Sequence, residues 1–413
     1  MPSIRISPGS EVDNVGDELL RVEGLTTQFF TDEGQVNAVS GVDLALEDGE
    51  VYGLVGESGS GKSVTALSIV DLVDSPGRVT DGSIWLRDEK IADAFRGSHP
   101  SAVEGDMLNL TVIPEAERRA LRGSTFSMIF QDPESSFNPT LTVGEQIAEA
   151  VEVQRRIEAA SDEGLVGVDY SLRSYLLSFL VDSRKFVKQP SRDRAIELLE
   201  LVGIPDPIQR AEEYPHEYSG GMLQRAMIAQ ALASEPDILI ADEPTTALDV
   251  TIQAQVLDLL ADLRDRTGLT ILLITHNLGV IARMCDRVGV MYAGEIVERG
   301  TLADVFDRAS HPYTQGLLGS IPDLDEPSGR LQPIPGNVPS LLDDEMEDRC
   351  YFADRCPRAM EACLEKPAYY DVEGSTEHRM TCHLAHMEYG ESPPLADGDV
   401  NSDPITTEPE VDS

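Results

Sequence analysis

The chain has 413 residues, 41% of them hydrophobic, which is enough for a large core and for two or three domains. Asp and Glu number 74 against 32 Lys and Arg, a formal net charge of -42, and this excludes a protein that holds nucleic acid or anionic lipid through a basic surface. Lysine occurs only at Lys62, Lys90, Lys185, Lys188 and Lys366, so the acidic surface reads as an adaptation to a cytosol of multimolar salt, where charge is screened within a few ångströms. No apolar run reaches the roughly 20 residues that span a bilayer. Met1 to Leu20 lacks the charged and apolar blocks of a signal peptide, so a cytoplasmic chain with reduced cysteines is expected.

In chain order, residues 1–17 read as a flexible polar leader. Leu19 to Phe30, Val36 to Leu46 and Ser83 to Leu86 alternate apolar and polar residues, the pattern of half-buried antiparallel strands. Phe29 is read either as a base-stacking aromatic or as core. Between these segments Val51 to Val55 is a buried strand running into Gly56-Glu57-Ser58-Gly59-Ser60-Gly61-Lys62-Ser63, followed by an apolar-periodic helix. Strand, glycine-rich turn and helix with this spacing form a phosphate-binding loop. Glycine lets the backbone N–H groups converge on an anion, and the start of the helix adds positive potential. Lys62 is placed to reach the β- and γ-phosphates, and the Ser63 hydroxyl to ligate Mg²⁺.

Residues 91–117 are polar without a clear period and are expected to loop out. Phe126 to Phe130 is a short strand ending at Gln131. A helix follows from Val143 to Glu158, and residues 159–190 read as an insertion. Arg192 to Val202 is an amphipathic helix, stopped by Gly203-Ile204-Pro205. Tyr218-Ser219-Gly220-Gly221 opens a helix through Ala233. Asp237 to Ala241 is an apolar strand whose end carries Asp242 and Glu243, where an open parallel sheet binds its ligand. A helix follows Asp249 as far as Arg266, and Leu269 to Ile274 is a strand ending at His276. Strands alternating with helices predict a doubly wound α/β core.

In this order the landmarks resemble the nucleotide-binding subunits of ABC transporters across residues 19–320. Tyr218-Ser219-Gly220-Gly221 with Gln224-Arg225 is the most specific of them, although the family signature usually begins with Leu where this chain has Tyr218. The resemblance implies an ABC-type domain over residues 18–320, with an α/β RecA-like parallel-sheet core, an antiparallel β subdomain and a helical signature subdomain at about 132–234. It implies ATP hydrolysis with Mg²⁺. Two cassettes would sandwich two nucleotides, with Ser219, Gly220, Gly221 and Gln224 of one facing the γ-phosphate on the other's phosphate loop. Asp249 would lie in the loop that crosses this seam. Asp242 would hold Mg²⁺ through water, Glu243 would polarise the attacking water and His276 would contact the γ-phosphate. Gln131 would sense metal and water while its loop touches a membrane subunit.

Ala241 to Gln255 and His311-Pro312-Tyr313-Thr314 resemble, more narrowly, the dipeptide, oligopeptide and nickel importers, and residues 321–390 resemble their C-terminal extension. This implies a second ATPase subunit, two transmembrane permease subunits and, indirectly, an extracellular solute-binding protein, with this chain peripheral on the cytoplasmic face of the membrane. Nickel or sugar import, or a soluble ABC ATPase, are the alternatives. Cys350, Cys356, Cys363 and Cys382 cluster in the extension, while Cys285 stands apart in an apparent helix. Their spacing fits neither a zinc ribbon nor the usual ferredoxin run, so zinc, a cluster and free thiols stay open on chemistry alone. The resemblance to cluster-bearing dipeptide-permease subunits implies [4Fe–4S]. Residues 391–413 are acidic and poor in apolar groups, and are expected to be disordered.

Overall fold

The computed structural model describes residues 18–162, 187–246, 248–320, 334–342 and 348–385. Two sheets organise them. The first is antiparallel and five-stranded, in the order β2-β1-β4-β6-β5, with β1 Glu18–Thr31, β2 Gly34–Glu47, β4 Gly77–Arg87, β5 Val103–Glu104 and β6 Met107–Asn109. The alternation seen in sequence becomes a buried face of Leu20, Val22, Leu25, Val42, Leu44 and Leu46.

The second sheet has eight strands in the order β12-β13-β11-β10-β3-β9-β8-β7. Its parallel centre comprises β3 Val51–Val55, β7 Phe126–Ile129, β8 Ile238–Asp242, β9 Thr270–Thr275 and β10 Arg287–Tyr292. β3, β8 and β9 are buried along their whole length, which is why each is a continuous apolar run and not an alternating one. β11 Glu295–Thr301 returns antiparallel on β10, and the extension adds β13 Arg379–Met380 beside β11 and β12 Tyr370–Asp371 beyond it.

A helical layer packs beside β7 and β8, built from Val143–Asp162, Gln189–Leu201 and Gly220–Ala231. Its core includes Ile147, Val151, Leu198, Leu199, Leu223 and Met227. Among the described residues no helix is long and apolar enough to cross a membrane.

Residues 91–117 do not loop out. A helix at Glu89–Arg96, capped by the Asp88 carboxylate accepting the Ile91 N–H, is followed by β5 and β6, and then by a helix at Glu115–Leu121. Phe95, Leu110 and Ile113 join Leu108 of β6 in the core of the antiparallel sheet. Elements this short carry too few residues to show a period, so composition alone looked like loop. Of the stretch read as an insertion, residues 159–162 continue the preceding helix, Gln189 opens the next, and residues 163–186 lie outside the described part, as do the leader, the tail and residues 321–333.

Candidate functional site

The phosphate loop joins β3 to the helix Lys62–Ile69. Two of its glycines are dictated by packing. A Cβ on Gly56 would stand 2.1 Å from the Met291 carbonyl oxygen, and one on Gly61, whose φ is 100°, would stand 2.3 Å from the Ala38 carbonyl oxygen. Only glycine lets the loop lie this close to β10 and β2. Ser58 and Gly59 are exposed at its crest and Ser60 is buried. The Lys62 ammonium lies inside the loop, donating to the carbonyls of Gly56 and Glu57 at 2.9 Å each and to Ser60 Oγ at 3.3 Å. Burial pushes its pKa down, while the nearby charges of Glu243, Asp242 and Glu57 oppose the shift.

Asp242 ends β8 and is 5% exposed. Burial raises its pKa. The Ser63 hydroxyl, hydrogen-bonded to this carboxylate, and Lys62 act in the opposite direction. Its Oδ1 is buried without a hydrogen-bond partner. A hydroxyl and a carboxylate with a spare buried oxygen are the hard donor set that Mg²⁺ takes, so these residues fit the ion.

Glu243, the next residue, has a φ of 51°, a left-handed backbone conformation rare outside glycine and concentrated at functional sites. Its carboxylate accepts from Thr246 Oγ1 at 2.9 Å and from the His276 N–H at 3.1 Å, and it pairs with His276 Nδ1 at 2.7 Å. His276 follows β9, which lies between β8 and β3, so sheet order alone brings Lys62, Asp242, Glu243 and His276 to one edge. The imidazole remains largely exposed. Gln131 follows β7 at the same edge and is exposed. A groove of about 460 Å³ opens in the helical layer, away from Gln131, lined by Arg122, Asn138, Leu141, Gln146, Glu149 and Ser234 among others.

The signature lies apart from this cluster. Ser219 caps the helix Gly220–Ala231 by accepting the Met222 N–H at 3.3 Å. Ser219 and Gly220 are exposed, and a Cβ on Gly220 would meet nothing within 4 Å. Gly221 is packed instead, since a Cβ there would lie 2.7 Å from Ile252 Cγ2. Gln224 is 2% exposed, so its side chain supports the helix from within and does not face outward with the glycines. Tyr218 is buried, and its hydroxyl donates to the Arg210 carbonyl at 2.8 Å, so the departure from Leu keeps an apolar body and gives its polar atom a partner. Asp249 is exposed and caps the helix Val250–Thr267 by accepting from Thr251 and Ile252 N–H at 3.0 Å each, beside an exposed Val250. Phe29 is half-buried in β1, where a Cβ on Gly77 would stand 2.6 Å from its ring. Its neighbour Phe30, which sequence reasoning passed over, is exposed and lies under the Arg78 guanidinium at 4.3 Å.

In the extension Cys350 and Cys356 are half-buried and Cys363 and Cys382 buried, all as free thiols. Burial pushes the thiols of Cys350, Cys356 and Cys382 up to about 12, reinforced by the charge of neighbouring thiolates, and raises that of Cys363. The four are therefore neighbours. Among the described residues, however, no three His, Cys, Asp or Glu side chains are arranged to hold a metal ion. The expected [4Fe–4S] cluster, and zinc as its alternative, thus find no ligand set in this geometry. Cys285, expected in a helix, is the buried residue that caps the helix Leu278–Met284.

An anion-binding loop beside a Mg²⁺-competent aspartate and a strained, hydrogen-bonded glutamate defines an ATP-hydrolysing cassette. Residues 39–246 match the family described as "ABC transporter", and residues 297–363 match "Oligopeptide/dipeptide transporter, C-terminal region". The "Dipeptide transport ATP-binding protein DppD" of Bacillus subtilis is 43% identical over 369 residues, covering 89% of this chain and 95% of that protein. The "Oligopeptide transport ATP-binding protein AppD" of the same organism is 45% identical over 346 residues, 84% of this chain and 90% of that one. Among solved structures the dimeric bacterial ABC transporter cassette MJ0796 has a TM-score of 0.50 at 24% identity over 68% of this chain and 98% of its own, a likeness of fold. The chain belongs to the ABC transporter family as an ATP-binding subunit, an ATPase that drives transport. Within that family it is of the oligopeptide/dipeptide transporter type.

Proposed function

We propose that this subunit hydrolyses ATP to power import of dipeptides or oligopeptides, working on the cytoplasmic face of the membrane with a second ATPase subunit and two permease subunits. A solute-binding protein outside the cell would deliver the peptide. The observation that carries the peptide reading is the match of residues 297–363 to the oligopeptide/dipeptide C-terminal region, a stretch that starts within β11 and whose Leu341 carbonyl accepts the Asn37 N–H of β2.

In this reading the loop amides of residues 56–61 and Lys62 hold the phosphates, while Ser63 and Asp242 would hold Mg²⁺, whose charge would offset that of the phosphates. Glu243 accepts a proton from the attacking water, and His276 fixes that carboxylate and faces the γ-phosphate. Ser219 and Gly220, exposed at a helix start, suit an anion presented by a second cassette, and Asp249 with the exposed Val250 suits the seam between the two. The Gln131 loop would be the contact for a permease subunit. Nickel or sugar import is the alternative reading of the same machinery. Vesicles holding this subunit with its permease and partner ATPase, supplied with the solute-binding protein outside, should accumulate labelled dipeptide only with ATP inside. Uptake of nickel or a sugar without peptide uptake would overturn the reading.

The acidic surface is proposed to mark a halophile. Dilution from multimolar KCl to about 0.1 M, where charge repulsion is no longer screened at short range, should unfold the protein. An unchanged melting point at low salt would exclude this. The four thiols are not arranged as a ligand set for a cluster or zinc, so anaerobically purified protein should carry neither, which iron, zinc and sulfide analysis checks. No step above uses either.

A further inference from the structure

Glu57, within the phosphate loop, is held at three points. Its carbonyl accepts from Lys62 at 2.9 Å, and its N–H donates to the Tyr313 hydroxyl at 3.0 Å. Its carboxylate is taken by Arg355, 298 residues further on, in a two-pronged pair: Nη1 to Oε2 at 2.7 Å and Nη2 to Oε1 at 3.0 Å. A planar guanidinium meeting a carboxylate through two parallel bonds is the strongest and most directional of side-chain ion pairs.

Arg355 is itself immobilised. Its side chain is 5% exposed, its Nε donates to the Pro335 carbonyl at 2.8 Å, and its Nη1 also approaches the Tyr292 hydroxyl at 3.4 Å. Gly336, with a φ of 77°, lies against its stem, where a Cβ would stand 3.3 Å from Arg355 Cγ. Phe352 packs edge-on between Tyr292 and Tyr313, so the aromatic residues that brace Arg355 also brace the partner of the Glu57 N–H. All of the extension's contributions here come from residues 335–355, outside the nucleotide-binding core.

A carboxylate in this loop is a liability for an anion site. Its charge reaches the Lys62 ammonium and would oppose a triphosphate at the same place. We propose that Arg355 is a positioning residue for ATP: the extension supplies it in cis to neutralise Glu57 and to fix the loop around that residue. This rests on the reading that residues 56–63 hold the phosphates, and it goes further in making the extension part of nucleotide affinity.

The test is a rescue. ATP dissociation constants are measured in a Glu243→Gln background, which suppresses turnover, at the lowest KCl concentration that keeps the protein folded. Arg355→Gln should weaken ATP binding by about tenfold, within the usual range for coupled sites. Adding Glu57→Gln should bring affinity back to within about threefold of the parent, because the exposed carboxylate is gone. A residue that only stabilised the fold would not be rescued this way. Should Arg355→Gln fail to fold, Arg355→Lys, which keeps a charge without the fork, should weaken ATP binding by about threefold, and adding Glu57→Gln should restore it. Unchanged affinity in the single variant, or no recovery in the double, overturns the proposal. A parent that binds no ATP sinks the phosphate-site reading, and this proposal with it.

Discussion

Replacing Glu243 with Gln separates holding ATP from breaking it. In the structure the carboxylate accepts from the His276 N–H and from Thr246, and it pairs with His276 Nδ1. An amide can keep its oxygen toward His276 and turn its nitrogen to the Thr246 hydroxyl, which can then accept, so local structure should survive. What disappears is a basic group able to take a proton from water. A positioned general base is worth about 10²–10⁴-fold, or roughly 3–5 kcal/mol at 1.36 kcal/mol per decade. Phosphate release at saturating ATP should fall by that factor. ATP affinity should hold or rise slightly, because Lys62, Ser63 and the loop amides are untouched and one negative charge is removed. Light scattering should show an ATP-dependent dimer that persists, formed with the partner cassette where one is required. Wild-type turnover in Glu243→Gln would refute the assignment, and so would loss of ATP binding of the kind expected from Lys62→Ala.

Two further predictions follow from packing and burial. Gly220→Asp should melt normally, since a side chain there meets open space, yet abolish ATP-dependent dimerisation; Gly221→Val should cost about 1–3 kcal/mol in urea unfolding by driving into Ile252. His311 is 1% exposed, accepts the Tyr313 N–H at Nδ1, and has its pKa pushed down to about 4 by burial, from 6.5 when unfolded. The unfolded state therefore binds the proton first, so this residue's contribution of up to about 3 kcal/mol is present above pH 6.5 and is lost as pH falls toward 4. His311→Asn should flatten that part of the stability–pH curve, and parallel curves for the two proteins would reject the account.

The parallel core was legible because full burial writes itself as unbroken apolar runs, and because the loop after Val55 needs Gly, Lys and Ser at fixed offsets. The carboxylates at 242 and 243 could be placed at the binding edge from the strand that precedes them. Other features had no local signature. Residues 91–117 form strands of two and three residues, shorter than any period can reveal. The Arg355–Glu57 pair spans 298 residues of sequence, and no spacing rule reaches that far. Gln224 stands in the signature stretch, but its position on the inner face of the helix depends on what packs there. The left-handed backbone of Glu243 is imposed by its surroundings, since glutamate has no preference for that conformation.

The outer flank of β2 has a consequence for the solubility of the molecule. This strand is 14 residues long and pairs along one side with β1, so its other side would be a template for another chain's strand. That side is claimed within the molecule. The Asn37 N–H donates to the Leu341 carbonyl, the Ser40 N–H donates to the Gly294 carbonyl, and the carbonyls of Asp43 and Ala45 accept from Arg299 and Arg287. The far ends of the larger sheet are β7 and β12, four and two residues long, too short to recruit a neighbour. Removing the segment around Leu341 would uncover part of the longest edge, and the first symptom would be strand-to-strand aggregation before any loss of the cassette's own fold.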